Sequence, residues 1–172
     1  MDIQDKQMRD SISIANYYIE RASNEKKDIT LLQLLKLVYI AHGYLLALLN
    51  QSFLNPKFDR VEAWKYGPVI PTVYHTFKHN ARNPITQRGV VCLFDDEYSF
   101  VYPTISPEAE PVLDFVWKRY GGLSAAELVN LTHSKGTPWA YCYKEGENVV
   151  ILDSDTELYY KALVREMMNY GK

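Results

Sequence analysis

The chain has 172 residues, 47% hydrophobic and 23% charged, with a net charge of −2. That balance excludes a disordered chain and suits one domain, residues 1–172, around a real core. With no block of Lys and Arg, it also argues against duplex nucleic acid as a partner, since affinity there comes from cations neutralising phosphates.

The opening MDIQDKQMRD is charged and lacks an apolar stretch, so it does not read as a secretory signal. Met8, Ile12, Ala15, Ile19 and Ala22 alternate at four- and three-residue steps, which predicts a helix ending near Ser23-Asn24. The polar NEKKD stretch reads as a loop. Thr30 with Gln33 forms a capping box, flanked by Ile29 and Leu34 at the staple positions. The helix it opens, Thr30 to Asn50, is apolar nearly all round and is expected at the centre of the fold. Its Leu31–Leu49 core is long enough to span a bilayer. Gln33, Lys36 and His42 interrupt it and no aromatic belt marks its ends, so no membrane is expected.

Arg60 to Tyr66 is expected as a strand, with Glu62, Trp64 and Tyr66 on one face and Gly67-Pro68 ending it. Pro71 then starts a helix that faces Val73, Tyr74 and Phe77 inward and stops at Asn83-Pro84. Val90–Phe94 and Tyr98–Tyr102 flank Asp95-Asp96-Glu97 as a hairpin. Ser106-Pro107-Glu108 is expected to cap a helix with Val112, Phe115, Val116 and Tyr120 inside, closed by Gly121-Gly122. Ser124 with Glu127 is a second capping box, for a helix to about Thr132. His133 to Trp139 reads as a loop, Glu145–Asn148 as a turn, and VVIL as a short strand. Ser154 with Glu157 is expected to cap a last helix, with Leu158, Ala162, Leu163, Met167 and Tyr170 at helical spacing. The sum is a mainly α fold: a single helical domain around a buried central helix with a small β element.

Chemistry-bearing patterns are sparse. His75 and His79 are four apart, but HTFKH lacks the glutamate of HExxH, so no metal is expected. Neither GxGxxG nor GxxxxGK[ST] occurs, and no cofactor is expected. Cys92 and Cys142 sit outside any CxxC pattern, which suggests a reduced, cytoplasmic protein. A small hydrolytic enzyme would have to use His133, His42 or Cys142 in a cleft lined by Trp64 and Trp139. The 14 tyrosines point the other way, to a binding protein with a tyrosine-rich face.

In EAWKYGPVIPTVY, Trp64 and Tyr66 are expected to press on something apolar at a stiff corner set by Gly67, Pro68 and Pro71. That stretch resembles "eAW-yGPVvp-vy" of the Panacea domain, the family of SocA-like antitoxins and related phage-associated proteins. ITLLQLLKLVYIAHG is similar to that family's "it-lkLqKLlYla-g" helix, with Gln33 and Leu35 in place of Lys and Gln. YGGLSAAELVNLTHSKGTPW is similar to "yg-lsa-eLs-lTH-e-pW", and the first helix carries IANYYI. The family-motif positions are Gln33, Lys36, Leu37, Tyr39, Gly43, Ala63, Trp64, Tyr66, Gly67, Pro68, Val69, Thr132, His133, Pro138 and Trp139. They read as scaffold. The resemblance implies a non-enzymatic antitoxin that neutralises a cognate toxin by direct contact. For one branch of the family it also implies delivery of the toxin to an AAA+ protease. A phage- or mobile-element-encoded host-interaction protein without a toxin partner is the alternative.

Overall fold

In the computed structural model, which describes residues 3–171, the Thr30–Gln33 capping box is in place: Gln33 Oε1 accepts from the Thr30 N–H at 3.0 Å, and the Thr30 hydroxyl accepts from the Gln33 N–H. It starts α2 (Leu31–Leu49), which Asn50 ends in a left-handed conformation, φ 53°. Every residue from Leu34 to Leu46 is buried. This helix has the length and apolarity of a membrane span, yet the protein's own elements enclose it. Those packed on it include α1 (Ser11–Asn24), α4 (Glu110–Tyr120), α5 (Ala125–His133) and α7 (Asp153–Tyr170). One contiguous apolar core runs from Ile12 on α1 to Tyr160 on α7.

The fold is mainly α, with more β structure than a single small element. β1 (Gln4–Gln7), β4 (Val91–Phe94) and β5 (Tyr98–Thr104) form one sheet in the order β1-β5-β4, with β1 parallel to β5 and β4 antiparallel to it. β2 (Val61–Trp64), β3 (Gly67–Val69) and β6 (Val149–Ile151) form an antiparallel sheet in the order β3-β2-β6. The hairpin around Asp95-Asp96-Glu97, the strand in VVIL and the Ser124–Glu127 capping box all stand where the sequence puts them.

Several expectations are corrected. Gly67-Pro68 does not end a strand. Lys65-Tyr66 is a two-residue turn, and Gly67, at φ +99°, opens the return strand opposite Trp64. Pro68 fits there because β3 is an edge strand and needs no N–H for the ladder. α3 (Pro71–Phe77) ends six residues before Asn83, passing into a 3-10 turn at Lys78–Asn80. Among the described residues the Ser106 hydroxyl has no hydrogen-bond partner, so it does not cap α4. Pro107–Ala109 makes a turn, Ala109 donates to the Ser106 carbonyl, and α4 starts at Glu110 with Pro111 in its first turn. Its inner face is Val112, Leu113, Val116, Trp117 and Tyr120, while Phe115 lies at the surface.

His133 to Trp139 is not all loop, because Thr137 caps a short helix, α6 (Pro138–Cys142), with Pro138 at its first position. Ser154 is not a cap. α7 already begins at Asp153, and it buries Thr156 and Tyr160 rather than Leu158, Ala162 and Tyr170. The strand β1 is new, and its four residues are all exposed.

Candidate functional site

The β2–β3 hairpin enters a junction between α2 and the α5–α6 segment, and most of the motif positions meet there. Lys36, on the fully buried face of α2, donates from Nζ to the Pro68 carbonyl at 2.8 Å. Among the described residues no carboxylate pairs with this amine, and burial lowers its pKa from 10.5 to about 7. A Cβ on Gly67 would lie 3.0 Å from Lys36 Nζ and 3.2 Å from Thr132 Oγ1, so glycine lets the hairpin seat against both helices. Thr132 is held in turn by its hydroxyl, which donates to the Leu128 carbonyl at 2.9 Å. Val69 and Ala63 join the core beside it.

From the other side, Trp139 Nε1 donates to the Trp64 carbonyl at 2.7 Å. The Trp64 indole donates to Glu62 at 2.8 Å and packs edge-on against Tyr74 at 5.0 Å. Glu62 is buried and also accepts from Arg60 at 2.6 Å. His133 stacks on Trp139 at 3.7 Å, and Trp139 on Tyr143 at 4.5 Å. Pro138 is buried at the start of α6 and sets the position of Trp139.

Other motif residues lie elsewhere. Gln33 bridges from its cap to the Leu123 carbonyl at 3.2 Å. Leu37 is in the core. Tyr39 and Gly43 receive α7: Tyr160 meets Tyr39 edge-on at 6.0 Å, and a Cβ on Gly43 would sit 2.2 Å from the Tyr160 ring. Tyr66 departs from expectation. It occupies the hairpin turn, is 61% exposed, and presses on no core.

The groups that an enzyme would need are employed separately. His42 is fully buried and its Nε2 pairs with Asp153 Oδ1 at 2.9 Å, an arrangement that holds the Asp153 carboxyl below its usual range. Cys142 lines a groove of about 370 Å³ with Tyr141, Leu158 and Tyr159, and burial pushes its thiol up, away from the reactive thiolate. Among the described residues no hydrogen bond joins any two of His42, His133 and Cys142. Trp139 is tied to the Trp64 carbonyl by a hydrogen bond, and Trp64 lines a mostly apolar groove of about 250 Å³ with Leu31, Leu35 and Tyr74, away from His42, His133 and Cys142. His75 and His79 are exposed, and among the described residues no three His, Cys, Asp or Glu side chains converge as a ligand set.

The tyrosines divide. Tyr18, Tyr39, Tyr44, Tyr120 and Tyr160 are buried, and the Tyr44 and Tyr120 hydroxyls share a hydrogen bond of 2.6 Å. The exposed ones, Tyr66, Tyr98, Tyr141 and Tyr170, lie on four different segments, and among the described residues no two of their rings pair. The Glu62 carboxylate is a participant in the junction that the sequence does not single out. An acid two residues before a tryptophan on one strand face is the signal that could have found it.

Residues 34–140 match the family described as Antitoxin SocA-like, Panacea domain. Over 137 residues the chain is 33% identical to Antitoxin SocA of Caulobacter vibrioides (strain NA1000 / CB15N), a match covering 79% of this chain and 71% of that protein. No solved structure matches.

Proposed function

The chain belongs to the antitoxin SocA-like Panacea family, and from that premise we propose that it is an antitoxin that neutralises a cognate toxin by binding it directly. The observation that carries this reading is the family match, which runs through the junction of Lys36, Trp64, Gly67, Thr132 and Trp139. The geometry supports a binding role because those motif side chains are spent on internal contacts. Lys36 fixes the Pro68 carbonyl and Trp139 the Trp64 carbonyl. They act as scaffold, and the exterior they hold in shape is what meets the toxin. A preformed surface loses little freedom on association, which favours tight binding.

The reading includes a single domain over residues 1–172, of which 1, 2 and 172 lie outside the described residues, and a cytoplasmic location. Catalysis has no part in it. The test is co-expression with the product of the adjacent gene. The expected outcome is growth where that product alone arrests cells, together with a complex that co-purifies. A harmless neighbour and no complex overturn the reading. Following the neighbour's lifetime in the same cells decides whether an AAA+ protease takes part: delivery shortens it, and simple occlusion leaves it unchanged.

A further inference from the structure

The four sheet edges are treated differently. β1 presents Gln4, Asp5, Lys6 and Gln7, a polar edge of the kind that discourages pairing. β3 is buried against α2 and α5, and β6 packs against α6. β4 is the outer strand of its sheet, reads Val91-Cys92-Leu93-Phe94, and among the described residues has no strand beyond it. Its outward main-chain groups are open to another strand.

The hairpin register adds a side-chain surface. Cys92 pairs with Phe100 and Phe94 with Tyr98, so all four share one face. Phe94 is 67% exposed, Tyr98 71% and Phe100 50%, and the Phe94 and Tyr98 rings touch at 4.8 Å. The other face is occupied, since Val101 is buried and β5 packs on α1. The base is fixed: the buried Asn16 amide on α1 donates to the Gly89 and Pro103 carbonyls and accepts from the Gly89 N–H at 2.7 Å. At the tip stand three consecutive acids, Asp95, Asp96 and Glu97, all exposed, and among the described residues none is in an ion pair.

An apolar, exposed strand edge beside exposed aromatic rings is an association hazard unless a partner covers it. Building on the antitoxin reading, we propose that this hairpin is the toxin-docking surface. An extended strand of the toxin adds to β4, apolar where it meets Phe94 and Phe100 and cationic where it passes the acidic tip. Main-chain bonds to β4 supply affinity, and the rings and the carboxylates select the partner.

The experiment uses the purified product of the adjacent gene and measures its Kd for the full chain and three variants. Phe94→Lys with Phe100→Lys alters the aromatic face, Asp95→Lys with Asp96→Lys the tip, and Tyr141→Lys the distant α6–α7 face. All substituted side chains are exposed, and circular dichroism verifies their folding. The expected result is at least tenfold weaker binding for both hairpin variants, near-wild-type binding for Tyr141→Lys, and new hydrogen-exchange protection in the complex of those alternate β4 amides that point away from β5. Wild-type binding by the hairpin variants overturns the docking surface and leaves the antitoxin reading standing. So does a self-dimer of the free chain that the same variants dissolve, because the edge is then covered by a second copy. No complex with the wild-type chain overturns both.

Discussion

Lys36→Met probes the junction most sharply, because its effect changes sign with pH. The Lys36 amine is fully buried, makes one hydrogen bond to the Pro68 carbonyl, and has a pKa lowered by burial to about 7. Between about 7 and the ordinary value of 10.5 the unfolded chain binds a proton at this position and the folded chain does not. Wild-type stability therefore rises with pH through that window, by up to about 1.4 kcal/mol per pH unit. Keeping the amine neutral costs about 4 kcal/mol at pH 7 and about 1 kcal/mol at pH 10. Methionine removes that cost at every pH, and leaves the Pro68 carbonyl without its donor, a loss of about 1–3 kcal/mol. The variant is expected to be about 2 kcal/mol more stable than wild type at pH 7 and equal or slightly less stable near pH 10. Urea unfolding of both proteins at half-unit steps from pH 7 to 10 measures the difference. A difference that stays constant across the series refutes the reasoning, since it means that Lys36 keeps its proton in the folded protein.

Three further outcomes are expected. Gly43→Ala places a methyl 2.2 Å from the Tyr160 ring, and α7 must shift; a stability loss of about 1–3 kcal/mol is expected in thermal melts, partly restored by Tyr160→Leu. Ser124→Ala removes the reciprocal cap of α5, in which the hydroxyl accepts from the Glu127 N–H, and is expected to cost about 1 kcal/mol by urea unfolding. Iodoacetamide at pH 7.5, followed by peptide mass mapping, is expected to modify the exposed Cys92 well before Cys142, whose thiol is raised by burial; equal rates would contradict that placement.

What the residues disclose in advance is local chemistry. Thr30 with Gln33 and Ser124 with Glu127 announce their helices because each cap is completed within three residues. The same rule misplaces the starts at Ser106 and Ser154. At Ser106 a competing local signal wins, since Pro111 occupies the first turn of α4; at Ser154 a distant contact does, since Asp153, already in α7, pairs with His42, 111 residues away in sequence. β1 carries no strand pattern, because its stability comes from parallel pairing with β5 and from no buried side chain of its own. At the site, the motif residues were legible as a set, and their meeting point was not. Lys36, Gly67, Thr132 and Trp139 are brought together by the turn at Lys65-Tyr66 and by α6, two features that depend on the tertiary packing around them. Tyr66 was expected to press inward beside Trp64, as strand alternation requires, and the turn instead carries it outside.

The proposal that this chain works by occupying its partner, without making or breaking bonds, is tested most directly by stoichiometry. The toxic product of the adjacent gene is held at a fixed concentration well above the Kd while the purified chain is titrated in and residual toxin activity is read. Inhibition that rises linearly and is complete at one chain per toxin is expected. Full inhibition at a small fraction of that ratio, growing with time, would show turnover and contradict the binding mechanism.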